Sequence, residues 1–340
     1  MTALLAHRPT PQRILLVVAA LACVVVLIMP LSATDWAQGA HLPLLADRLW
    51  FRVATTIAMF IVMASAWNII GGLAGYAAFG NVAFFGIGAY ASGVAVVKGH
   101  VPLPVALVLA PCTAGAFAAV IGVPLLRLRG HYFAIATLGI SVALGEVVDN
   151  LDALGGSTGL FLPIVRSDLL FFYLMSGAAA LAVGVTWWVT RSRFGYGLLA
   201  IRESEEAAAV IGVSTTLHKV GAFVLAGALT GLAGGIFAQW NVFINPENTF
   251  PVDYNVQMIL MAVFGGAGTV LGPVAGAIVI EVLIQRLAVG GAAAIYAQIG
   301  LGFLLAATVV FIPRGVIDFI GGRSRLTLSY LRRSLQQTSV

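Results

Sequence analysis

The sequence predicts an all-α polytopic membrane protein of about ten transmembrane helices. Composition is the first observation behind this. Of 340 residues, 60% are hydrophobic and only 9% are charged, whereas soluble domains average about 25% charged. A chain so poor in charge could not cover a soluble globule of this size. The second observation is pattern: mean hydropathy is +1.02, and the apolar residues fall in repeated runs of about 20, the length a helix needs to cross the hydrocarbon layer. The third is charge. The formal net charge of +5 sits in short clusters between the apolar runs, as in positive cytoplasmic loops rather than a nucleic-acid face.

The elements follow in order. A first span at 13–33 follows Arg8 and Arg13; its apolar run, Ile14 through Leu31, is longer than a signal-peptide core and reads as a retained helix. Further spans fall at 52–71, 79–97 after a glycine-rich turn, 101–126, 131–150, 168–190 and 219–241. The stretch 255–289 is too long for one ordinary span and is broken at Gly265-Gly266-Ala267-Gly268-Thr269-Val270-Leu271-Gly272-Pro273. It is either one kinked helix or a short helix, a turn and a second span. A last span covers 295–313 and a basic tail 323–340.

Charge asymmetry decides the count. With a cytoplasmic N-terminus and 255–289 taken as two spans, 13 of the 18 basic residues lie inside, among them Arg127, Arg129, Arg191, Arg193, Arg202, Lys219 and Arg314. Nine spans would put the basic tail outside, against the positive-inside rule. Ten spans place both termini in the cytoplasm and turn the 149–168 and 242–254 connections outward.

Several chemistries are excluded. The only lysines are Lys98, before Gly99, and Lys219, before Val220, so no phosphate-binding P-loop is present. His7, His41, His100, His131 and His218 are scattered without metal-ligand spacing, and no Gly-x-Ser-x-Gly elbow occurs. Cys23 and Cys112 lie in apolar runs without ligand-like neighbours. The reading is of a chain without catalytic residues, metal or cofactor of its own.

Three features remain. Gly71, Gly72 and Gly75 form one glycine cluster between apolar runs; Gly265, Gly266, Gly268, Gly272 and Pro273 form another. Broken helices at membrane depth line transport pathways where a cavity or protein satisfies the freed backbone; equally, small residues let helices pack closely. The two clusters look like partners in an internal repeat. Glu146 and Glu281 are carboxylates inside predicted spans, functional candidates by default, although Glu146 lies close enough to the outward loop to reach water. Finally, Arg191 to Gly212 holds three acidic and three basic residues. It reads as a short helix from Glu203 to Ile211, with Glu203, Glu205 and Glu206 in its first turns, Ala207, Ala208 and Ala209 following, and Gly212 at its C-terminal stop. Such a helix is either a partner-docking device or a solvated interfacial helix.

These residues resemble a known family. The 191–218 loop is similar to the EAA motif of ABC importer permeases, which docks into ATPase subunits. More specifically, four blocks resemble the LivM type of branched-chain amino-acid permease: Gly75-Tyr76 with Ala83 to Tyr90; Leu126 to Leu138; Ala200-Ile201-Arg202-Glu203 with Glu206-Ala207-Ala208 and Gly212; and Gly265 to Thr269 with Gly272-Pro273 and Gly276. They occur in the family's order across about 60–315. Where the family often carries Gln-Ser-Leu-Gly-His, this chain has Ala77-Ala78-Phe79-Gly80-Asn81, and relatives also serve urea, short amides and other amino acids.

The resemblance implies a single type II-like permease domain with broken helices, in the bacterial inner membrane, importing branched-chain amino acids or a related small polar solute. Arg202, Glu203, Glu206, Ala207, Ala208 and Gly212 would couple to the ATPases. The implied partners are a LivH-type permease, two cytoplasmic ATPases carrying ATP and Mg, an extracytoplasmic solute-binding protein and membrane lipid, with no nucleic acid. A self-sufficient secondary transporter or channel is the rival expectation.

Overall fold

The structure is a computed structural model that describes residues 48–165 and 167–287, together with position 300. The expected spans at 13–33 and 295–313 and the tail at 323–340 lie outside the described residues. The described chain is overwhelmingly helical. Helix α1 (Arg48–Trp67) continues into a π-turn (Asn68–Leu73), followed by α2 (Val82–Val97), α3 (Leu103–Leu125), α4 (His131–Asp149) and α5 (Asp168–Arg191). Two short helices, α6 (Arg193–Glu203) and α7 (Glu205–Val210), precede α8 (Thr215–Asn241). A single turn α9 (Pro246–Thr249) leads into α10 (Val252–Gly265) and α11 (Gly272–Leu287).

Helix ends carry the expected stop and start chemistry. Ser167 caps α5 by accepting from the Leu170 N–H at 3.2 Å, with Asp168 in the first turn. Asn245 and Asn248 form a reciprocal capping box on α9, both bonds 3.0 Å. Pro111 and Pro124 lie inside α3, tolerated where neighbouring helices re-satisfy the freed backbone.

Among the described residues, five segments are long and apolar enough to cross a membrane: Phe51–Leu73, Leu103–Leu125, His131–Asp149, Asp168–Arg191 and Thr215–Asn241. The shorter Val82–Val97 and Gly272–Gln285 are also apolar. The bundle is built around α8, which packs on α2, α3, α1 and α5. Small residues permit this closeness: Gly88 lies against the Gly231 backbone, Gly231 against Ala114 and Gly235 against Ala110. Helix contact in lipid rests on such packing, because lipid tails are as apolar as the side chains they would release.

The helices alternate direction between two ends. At one end, the 150–165 and 242–245 segments join through a two-stranded antiparallel ribbon, β1 (Leu160–Phe161) with β2 (Phe243–Ile244), pairing Leu160 with Ile244 and Phe161 with Phe243. Lys98 donates to the Ala153 carbonyl at the same end. The opposite end gathers the 74–81, 126–130, 192–214 and 266–271 connections. The two loops expected to face outward therefore do share one end. Of the two readings of 255–289, the helix–turn–helix is observed: α10 and α11 pack on each other as a hairpin. Gly265 meets the Gly272 backbone and Gly276 meets that of Met261, so a side chain at these glycines would push the two helices apart.

Candidate functional site

The 191–218 segment does not form the single helix expected from Glu203 to Ile211. Ser204 takes an extended conformation, φ −162° and ψ 114°, and divides α6 from α7. Its hydroxyl accepts from the Ala207 N–H at 3.3 Å, so Ser204 is the N-cap. Glu203 is consequently the exposed last residue of α6, not part of the first turn of α7. Glu205 and Glu206 do occupy the first turn of α7, where the helix dipole favours anions. Gly212 ends the helix as expected: at φ 87° it allows Gly212 N–H to bond Ala209 O and Val213 N–H to bond Ala208 O, each at 3.0 Å. This is the Schellman pattern, in which only glycine is unstrained. Of the three alanines, Ala208 is buried and Ala207 and Ala209 are exposed. Beside them Val210 and Ile211 are 88% and 73% exposed, an apolar tip on a charged base.

The base of α7 is locked by a network. Glu205 accepts from Lys219 Nζ and from the Tyr76 hydroxyl, each at 2.6 Å. Lys219 Nζ also donates to the Tyr76 oxygen at 3.1 Å and the Leu126 carbonyl at 3.0 Å. Arg129 lies 3.8 Å from Glu205 and 3.4 Å from Glu206. Burial opposes the charge on Glu205. The bonds from Lys219 and Tyr76, with the Lys219 and Arg129 charges, outweigh it and hold the carboxyl below the usual glutamate range. Burial, then the bond to Glu205, pushes the Tyr76 phenol above its ordinary value. The Lys219 and Glu205 side chains are only 5% and 19% exposed, so neither charge can fall back on water if the other is lost. The exposed Arg129–Glu206 pair contributes under about 1 kcal/mol.

Arg202, at the end of α6, reaches into the bundle. Its Nη1 donates to the Gly72 carbonyl at 2.7 Å, and its stem packs on Gly75, which sits at φ 77°. Asn68, fully buried in the π-turn, accepts from the Gly268 N–H at 2.7 Å and donates to the Thr269 carbonyl at 2.8 Å. The two glycine clusters thus meet. A Cβ on Gly72 would strike the Asn68 side chain and lie 2.5 Å from the Gly268 nitrogen. The surface between these parts forms a cleft of about 340 Å³ lined by Ala74, Gly75, Tyr76, Arg129, Ile201, Arg202, Ser204, Glu205 and Glu206.

The remaining expected residues are placed as follows. Gly71 lies under the Trp67 indole. Gly265 and Gly266 end α10, and Gly272 and Pro273 start α11. Glu146 is exposed three residues before the end of α4, remote from the network. Glu281 is 2% exposed, and its Oε1 accepts from Gln285 Nε2 on its own helix at 2.8 Å.

Sequence reasoning did not single out Asn68, Tyr76, Arg129, Glu205 or Lys219 as site residues. A signal existed for two. Lys219 is one of only two lysines and opens an apolar run, and Asn68 interrupts another.

Residues 49–310 match the family model described as branched-chain amino acid transport system / permease component. The chain is 26% identical over 311 residues to the high-affinity branched-chain amino acid permease protein LivM of Salmonella typhimurium, covering 81% of this chain and 71% of that one. The LivM protein of Escherichia coli is 27% identical over the same shares. The galactose/methyl galactoside import permease MglC of Haemophilus influenzae is 29% identical over 205 residues, 54% of this chain and 59% of that one. No solved structure matches. The chain belongs to the family of permease components of branched-chain amino acid transport systems, membrane subunits that are not themselves enzymes.

Proposed function

We propose that this chain is one of two membrane-spanning subunits of an ABC importer that carries branched-chain amino acids into the cytoplasm, with both termini cytoplasmic. It works with a LivH-type permease, two ATPases that bind ATP and Mg, and an extracytoplasmic binding protein. The observation that carries this reading is the α6–α7 unit. Its tip offers Ala207, Ala209, Val210 and Ile211 to a partner, while Glu205 ties its base to Lys219, Tyr76 and Arg129. A docking surface must be fixed to the bundle if a partner's movement is to be passed on. The chain has no P-loop, so a separate ATPase supplies hydrolysis.

Coverage favours amino acid over sugar as cargo: the LivM relatives align along 81% of the chain and the galactose permease along 54%. In this reading the binding protein supplies most of the selectivity, which fits the few buried charges among the described residues. Nucleotide then shifts the balance between two arrangements of the paired permeases.

Glu206→Arg and Gly212→Val test the docking role. Both variants should insert into the membrane normally, lose co-purification of the ATPases and abolish uptake. Normal assembly and uptake in both would remove the coupling role.

A further inference from the structure

We infer that Arg202 and Asn68 form a strut that connects the docking helices to the tip of the α10–α11 hairpin, and that this hairpin is the part of the bundle the ATPases move. The inference rests on the docking reading above and adds what lies on the inner side of the dock.

The path has few links. Arg202 closes α6 and donates to the Gly72 carbonyl at 2.7 Å. Gly72 lies at the end of the π-turn, where a helix leaves carbonyls without partners of its own. Asn68, one turn earlier, binds two adjacent residues of the hairpin tip, as acceptor from Gly268 and donor to Thr269. Only a primary amide of this length does both. Aspartate cannot donate, alanine does neither, and glutamine has no room for its extra methylene because Gly72 lies against the Asn68 side chain. Gly268 also abuts Arg202 itself: a Cβ there would lie 2.8 Å from Nη1. Three segments far apart in sequence therefore meet through the Arg202 and Asn68 side chains.

The hairpin is suited to be the moved part. Its first helix, α10, has 14 residues, about 21 Å at 1.5 Å per residue, short of the ~30 Å hydrocarbon layer. The hairpin tip is held by Asn68, and among the described residues its helices pack mainly on each other and on α1. The second lock, Glu205–Lys219, instead ties α7 to the central helix α8. The α6–α7 unit is thus tied to α8 through Lys219 and linked to the hairpin through Arg202, the π-turn and Asn68, a path along which a rotation of the unit would displace the hairpin. Arg202 and Asn68 are positioning residues in this scheme, since neither needs to touch solute.

The test uses the complete transporter in proteoliposomes with binding protein and leucine. Asn68→Ala should keep both ATPases bound and hydrolysing, while leucine taken up per ATP falls about tenfold; Arg202→Ala should lower the same ratio by a similar factor. Arg202→Lys, which keeps one donor for the Gly72 carbonyl, should recover to within about threefold of the native ratio. With Cys23 and Cys112 replaced by alanine, maleimide labelling of Ala267→Cys at the tip should change on ATP binding in the native background and stop changing in Arg202→Ala. An unchanged ratio of uptake to ATP in both alanine variants overturns the strut, as does loss of the ATPases from both, which would make the residues structural. If the native chain itself binds no ATPase, the docking reading falls first and the strut with it.

Discussion

Lys219 is the residue on which the site's electrostatics depend. Its ammonium is buried at the start of an apolar helix, with Glu205, the Tyr76 hydroxyl and the Leu126 carbonyl as partners. Lys219→Ala leaves Glu205 charged and half-enclosed, and should destabilise the protein by roughly 3 kcal/mol. The double change Lys219→Met with Glu205→Gln removes both charges and should recover part of that loss. Thermal unfolding of the purified protein in detergent checks this; a double variant less stable than Lys219→Ala would contradict it. The pH dependence has a definite sign. The Glu205 carboxyl is held below its unfolded value, so its contribution is complete above about pH 4.3 and is lost as pH falls through the depressed value. Little of this network was legible beforehand. Arg202 and Glu206 stood out because charge is rare in this chain. Their partners could not be read, because a hydrogen bond between residues 76 and 205 leaves no periodic mark in the sequence.

The docking unit shows what a sequence pattern gives and withholds at the level of elements. The glycine stop at 212, the exposed alanines and the helix–turn–helix of 252–287 all follow from local chemistry, since glycine at positive φ, helix propensity and a proline at a helix start act within a few residues. The break at Ser204 was missed because three glutamates looked like a single first turn, and the serine between them, an ordinary N-cap, was passed over. The consequence is measurable. A helix as short as Glu205–Val210 has little stability of its own. Ser204→Ala removes the cap and should cost about 1 kcal/mol. Amide exchange at Ala208–Gly212 should then rise about fivefold, with α6 and α8 unaffected. Unchanged exchange would mean that the tertiary network alone holds α7.

At the scale of the whole molecule, apolar run length located the described helices to within a few residues, because each run must bridge the same thickness of lipid. What composition could not supply is how the runs meet. The two glycine clusters, read separately, left close packing and pathway lining as equal alternatives. In the fold many other glycines serve packing on α8, whereas these two clusters touch each other and Arg202. On the proposal made above, the chain is a passive permease with a driven hairpin. The most direct test of that proposal is leucine uptake into proteoliposomes holding this chain, its partner permease and both ATPases, with binding protein outside and ATP inside. Uptake should require ATP and binding protein together, and should vanish with Glu206→Arg. Uptake by this chain alone, driven by an ion gradient and indifferent to Glu206→Arg, would contradict the account.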